Sequence, residues 1–186
     1  MDLRAYPISA KQWEDLNNLY PETEKLEFIQ KLEPLKEWSV NLIDEGDYQQ
    51  HSIEIPMPEL PNGRYLILAL PKEDEVNSFA YSEVQVTNLA LLQTTTDKEH
   101  LFQVVDRNNG AARASAKVTF YLRSNLILSN SKSYTTDKNG FVRIPLGGKS
   151  MSVEHKIVRY KDDQAQFGST YIRKKNRQNN GSDVVS

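Results

Sequence analysis

The feature that most constrains this chain is a change of hydrophobic period at Glu37. Before it, apolar residues recur three and four apart. After it, they alternate with polar residues in short runs punctuated by Gly, Pro and Asn. A period near 3.6 gathers apolar side chains on one helix stripe, and a period of two gathers them on one strand face. The sequence therefore predicts one short helical segment followed by a long series of strands.

The helical segment is legible residue by residue. Ser9, with Gln12 three positions later, has the form of a capping box. Trp13, Leu16 and Leu19/Tyr20 keep helical spacing until Pro21 breaks it. A second helix carries Glu22 and Glu24 in its first turn, where negative charge favours the helix dipole. Leu26, Ile29 and Leu32 form its stripe, Phe28 lies beside it, and Pro34 closes it. The result is a helical hairpin at about 9–33, preceded by a short alternating strand over residues 2–8.

The strands follow. Trp38, Val40 and Leu42 alternate up to a turn at Glu45-Gly46-Asp47. Residues 48–57 form a second run with Ile53, Ile55 and Met57 on one side; Pro56, Pro58 and Pro61 confine its end to an edge or a linker. Asn62-Gly63 turns into an apolar central strand at 64–70, and 79–87 alternates again after a charged loop. Beyond Asn88, seven runs are predicted at 89–95, 100–106, 116–123, 126–135, 140–145, 152–160 and 165–173. That number and spacing match an immunoglobulin-like β-sandwich. Asn139-Gly140 reads as a type I′ hairpin turn. The fold class expected is mainly β: two Ig-like antiparallel sandwich modules, 1–88 with the helical hairpin and 89–173, and a linker or tail at 174–186.

Composition removes several functions. The chain of 186 residues has a net charge of -2, which argues against nucleic acid as the main partner. A mean hydropathy of -0.62 and the lack of a long apolar run argue against a membrane-inserted helix. There is no cysteine, which excludes disulfides, thiol nucleophiles, thiolate metal sites and a thioester within this sequence. Met1-Asp2-Leu3-Arg4 lacks the apolar core of a signal peptide, so an exported protein is expected to be represented here by an internal fragment.

No catalytic constellation stands out, and the expected catalytic, cofactor-binding and metal residues are none. His51, His100 and His155 are isolated. His51 with Glu54, or His100 with Glu99, makes a metal site only with a third ligand from another strand; otherwise each is a strand-face histidine. His155 alternates with Val153 and Ile157 and is expected on their face. The pairs Glu45/Asp47, Asp74/Glu75 and Asp162/Asp163 fall in predicted turns, where solvent keeps a carboxylate ordinary and Asp bonds local backbone donors. Gly147-Gly148-Lys149-Ser150 ends like a phosphate loop but lacks the preceding glycine and the following helix. Asn180-Gly181-Ser182 is a formal glycosylation triplet. Arg173, Lys174, Lys175 and Arg177 form a basic cluster without interleaved aromatics, which reads as a solvated linker.

Two patterns carry a family resemblance. The first is Val104-Val105-Asp106-Arg107-x-x-Gly110, then Ala116-Lys117-Val118, then Thr135-Thr136-Asp137-x-x-Gly140-Phe141-Val142. It is similar to the Ig-like modules of carboxypeptidase-regulatory, collagen-adhesin B and macroglobulin domains. The second is Pro58-Glu59-Leu60-Pro61-Asn62-Gly63-Arg64-Tyr65-Leu66 followed by Tyr81-Ser82-Glu83-Val84 and Asn88-Leu89. Together the order resembles the N-terminal macroglobulin domains of bacterial alpha-2-macroglobulin-like proteins, particularly those of Bacteroidetes. Ala111-Ala112-Arg113 departs from the Pro-Leu or Pro-Val usual in that family, and its reactive Cys–Gln thioester is absent here. The resemblance implies a non-enzymatic scaffold fragment without cofactors. Its partners would be neighbouring domains of a longer parent chain and the proteases that the parent traps as an endopeptidase inhibitor. The parent would be exported to the periplasm or anchored in the envelope of a Gram-negative bacterium. The alternative is a surface adhesin or carbohydrate-binding Ig-like module, which calls for an aromatic platform; Trp13 and Trp38, the two tryptophans, sit at periodic positions that read as core.

Overall fold

A computed structural model describes residues 1–42, 46, 52–72, 78–123, 130–146 and 150–173. They divide into two compact units, Met1–Val86 and the residues from Thr87 onward.

The first unit contains β1 (Asp2–Pro7), α1 (Ala10–Asn17), α2 (Glu22–Gln30), β2 (Lys36–Ser39), β3 (Gly63–Leu70) and β4 (Ala80–Val86). Its strands form one antiparallel sheet in the order β2-β1-β3-β4. β3 is central, as its apolar run requires, because both of its faces are covered. Leu66 and Leu68 pack with Tyr6, Ile8, Leu16 and Ile29, which places the helical hairpin on that face. Tyr65 and Ile67 pack on the other face with Ala5, Leu60, Trp38 and Val86. Each large side chain buried this way contributes about 1.5–3 kcal/mol. The hairpin begins as its sequence dictates: Ser9 Oγ accepts from Gln12 N at 3.2 Å, and Gln12 Oε1 accepts from Ser9 N at 2.9 Å.

The expected run at 48–57 is only partly visible. Residues 48–51 lie outside the described residues, and 52–57 form no strand. Pro56 removes a ladder donor within this stretch, Pro58 and Pro61 remove two more just beyond it, and Met57 and Ile53 stay half exposed. Trp13 meets the Tyr81 ring edge-on at 6.3 Å and Trp38 packs beside Ala5 and Tyr65, so both tryptophans belong to packed clusters.

The second unit is a β-sandwich. β5 (Leu89–Thr95), β6 (Glu99–Asp106) and β9 (Phe141–Pro145) make one sheet. The other has β7 (Lys117–Leu122), β8 (Asn130–Thr135), β10 (Met151–Tyr160), β11 (Asp163–Phe167) and β12 (Thr170–Ile172), ordered β11-β10-β7-β8 with β12 also on β10. All pairings are antiparallel. Inward residues of both sheets fuse into one core of Phe102, Val104, Val118, Phe120, Val142 and Val158 with their neighbours. Phe102 and Phe120 meet edge to face across the sheets at 4.9 Å.

Four local expectations change. The fourth strand begins at Asn130, residues 124–129 lying outside the described set. The last run splits at Gly168-Ser169 into β11 and β12, and begins at Asp163 rather than after it. A β-bulge between Val153 and His155 breaks the alternation of β10, so Val153 faces the core while His155 stacks on Tyr121 at 4.5 Å. Asn139-Gly140 is not a type I′ hairpin: Gly140 has φ +78°, Asn139 is not among the residues of positive φ, and β8 and β9 belong to different sheets. The turn is a crossover from one sheet to the other.

Candidate functional site

Among the described residues of the second unit, side-chain hydrogen bonds gather at the corner where that crossover meets the end of β6. Asp106 closes β6 with an Asx turn: its Oδ1 accepts from Asn108 N at 2.9 Å and Asn109 N at 3.1 Å, and Gly110 N donates to its carbonyl at 2.9 Å. Its second carboxylate oxygen pairs with the Arg113 guanidinium, which lies 5.3 Å from the centre of the Tyr160 ring. Asp137 repeats the device. Its Oδ1 accepts from Asn139 N and Phe141 N, each at 2.9 Å, and its carbonyl accepts from Gly140 N at 2.9 Å. Thr136 binds the two turns together: its hydroxyl donates to the Arg113 carbonyl at 2.6 Å and accepts from Ala116 N at 2.9 Å.

Gly140 sits at the closest approach. Its carbonyl accepts from Val104 N at 2.9 Å, and a Cβ on it would lie 2.6 Å from the Val104 carbonyl oxygen and 3.2 Å from Arg113 N. The electrostatics match the geometry. The Asp106 carboxyl is held below its ordinary 3.8, first by the Asn108 amide and then by Asn109 and Arg113. The Asp137 carboxyl is held below the same value, first by the Phe141 amide and then by Asn139 and Arg143. Carboxylates whose lone pairs are filled by backbone amides and an arginine fix loops; they are ill suited to accept a substrate proton. The corner is a brace.

Asp163, expected in a solvated turn, is the residue that sequence reasoning missed. It is 8% exposed, and its carboxylate accepts from Thr87 Oγ1 and Asn88 N, each at 2.9 Å. It thus ties β11 to the start of β5. Its pairing opposite Tyr160, one step into the strand, is a register that no local sequence pattern encodes. Its neighbour Asp162 is exposed.

The histidines separate. His51 lies outside the described residues, while Glu54 is exposed. His100 is 3% exposed, with Nδ1 at 2.8 Å from Thr95 Oγ1 and Nε2 at 3.1 Å from Arg173 N. Glu99 turns away and pairs with Arg143 at 2.8 Å, so the His100–Glu99 pair is not brought together. Among the described residues no three of His, Cys, Asp and Glu gather as a metal site needs. Glu45, Asp47, Asp74, Glu75, Gly147, Gly148, Lys149, Lys174, Lys175, Arg177 and Asn180-Gly181-Ser182 lie outside the described residues. Among the described residues no helix is long and apolar enough to cross a membrane.

No protein-family model and no curated protein matches the chain by sequence. Solved structures do match it in fold. One is native alpha-2-macroglobulin from Escherichia coli spanning domains NIE-MG1, with a TM-score of 0.60 and 11% identity over 90% of this chain and 82% of that one. A second, spanning domains MG0-NIE-MG1, gives a TM-score of 0.59 and 12% identity over 90% of this chain and 54% of the larger one. The chain therefore carries, over most of its length, the fold of the NIE-MG1 domains of a bacterial alpha-2-macroglobulin.

Proposed function

We propose that this chain is a pair of structural domains from a bacterial alpha-2-macroglobulin-like protein, with no catalytic activity of its own. The observation that carries the reading is the match in fold to the NIE-MG1 domains across 90% of the chain. The brace built on Asp106, Arg113 and Asp137 supports it, because its polar groups are spent on holding turns. In this reading residues 1–88 and 89–173 are successive modules and 174–186 a linker. The whole protein inhibits endopeptidases by trapping them, from the periplasm or from an anchor in the cell envelope of a Gram-negative bacterium. Trapping would reside in parts of the parent other than these domains.

The test is direct. Incubated with trypsin or elastase and a protein substrate, the chain alone should leave protease activity intact, and it should not turn over peptide, ester or glycoside substrates. Stoichiometric loss of protease activity would overturn the scaffold reading.

A further inference from the structure

We propose that His100 is a pH-sensitive clasp: when neutral it holds the Arg173 end of the second unit to β6, and when protonated it releases that end. Both ring nitrogens of this buried side chain are committed. A backbone N–H can only donate, so Nε2, at 3.1 Å from Arg173 N, accepts and carries no proton. Nδ1 therefore holds the single ring proton and donates it to Thr95 Oγ1 at 2.8 Å. A second proton can enter only at Nε2, where it would face the Arg173 N–H. Two opposed donors in a buried position lose their hydrogen bond and repel, and the arrangement is relieved when one of them moves away.

Among the described residues Arg173 is the less firmly held side. It follows β12, which is three residues long and pairs only with Met151, Ser152 and Val153 at the start of β10. What else holds this end is the Gln93 Nε2 bond to Thr170 Oγ1 at 2.7 Å and the burial of Ile172. His100, in contrast, lies within β6, paired to Thr95 on one side and Ile144 on the other.

Among the described residues the charged surroundings are sparse, and Arg173 itself is exposed. β5 and β12 bring no charged residue to the ring. On β6, Glu99 is engaged by Arg143 of β9, and Asp106 stands at the far end in its turn. In the opposing sheet the charged groups on the inward side are Lys132 of β8, Lys156 of β10 and Asp163 of β11.

Release takes up one proton, so where the clasped ring is neutral and the released ring protonated, the released population grows by up to about tenfold per pH unit. The inference is independent of the scaffold reading.

The test follows the Arg173 amide by hydrogen exchange in the full chain between about pH 8 and pH 5, corrected for the intrinsic pH dependence of exchange. Protection at Arg173 should fall as the pH is lowered, by up to about tenfold per pH unit before release is half complete. Protection at the Val104 amide, bonded to Gly140 in the same sandwich, should hold. His100→Gln, which keeps an acceptor that does not titrate, should make Arg173 protection independent of pH. Protection that is flat in the wild type, or a slope that survives His100→Gln, would overturn the proposal. Should His100→Gln fail to fold, the ring carbon shifts of the wild type decide: release that does not share its midpoint with the ring titration overturns it as well.

Discussion

Gly140 is constrained twice, and the two constraints make different demands on a substitution. Its φ of +78° disfavours any L side chain, and its Cβ position is occupied by the Val104 carbonyl at 2.6 Å. Gly140→Ala already carries the offending atom, so it should cost at least about 1–3 kcal/mol, and Gly140→Val should add only a smaller increment. Chemical denaturation of the second unit measures both; an unchanged midpoint for Gly140→Ala would contradict the contact. Lys156 poses the opposite problem. It is 5% exposed on the inward face of β10, in register with Phe120 and Phe167, and burial pushes its amine below the ordinary 10.5. Between the lowered value and 10.5 the unfolded chain holds the extra proton, so stability should rise with pH across that window. Lys156→Met should remove the rise and raise stability at neutral pH, as read from denaturation midpoints at about pH 7 and about pH 10. A variant that is less stable at neutral pH would show that the amine has a partner.

Elements were legible where period and punctuation agreed. The helical hairpin, the central strand and six of the seven strand runs in the sandwich follow from apolar spacing between Gly, Pro and Asn signals. The misses have physical causes. A β-bulge at Glu154 leaves no trace in an alternating sequence: His155 shares the face of Ile157 as expected, but not that of Val153, which turns to the core. The run at 52–57 alternates but forms no strand, with Pro56 inside it and Pro58 and Pro61 just after it. Asn139-Gly140 carries a hairpin signature, yet Asp137 captures the Asn139 and Phe141 amides and redirects the chain to the other sheet. The brace was half legible: its Asp and Gly positions carried the family resemblance, whereas the Arg113 pairing depends on contacts that no local pattern encodes. The same local logic makes a prediction for α1. Ser9→Ala removes the acceptor for Gln12 N and should cost about 0.5–2 kcal/mol, measured as loss of helical signal with the first unit on melting, while the sandwich is left unchanged.

At the scale of the molecule, the core clusters fall separately in the two compact units, and the second has the larger one. Residues 89–173 are expected to fold alone, with one cooperative transition. Thr87 and Asn88 supply the donors to Asp163, so starting at Thr87 should give a higher melting temperature than starting at Leu89. Separate expression and melting of the two versions decides this. An unfolded 87–173 segment would show that the sandwich needs the first unit.

The double-sided burial of β3 also bears on the chain before it folds. Arg64-Tyr65-Leu66-Ile67-Leu68-Ala69-Leu70 has seven residues, no proline and one charge, the composition from which cross-β stacks are built. Within the native sheet β1 and β4 occupy its two edges. In a nascent or unfolded chain both edges are open, and only Pro61 on one side and Pro71-Lys72 on the other act as gatekeepers against self-association. A peptide spanning residues 64–70 should form thioflavin-positive fibrils, and Leu68→Lys should suppress them. The strand that gives the first unit its centre would then also be the segment that must be sheltered soonest after synthesis.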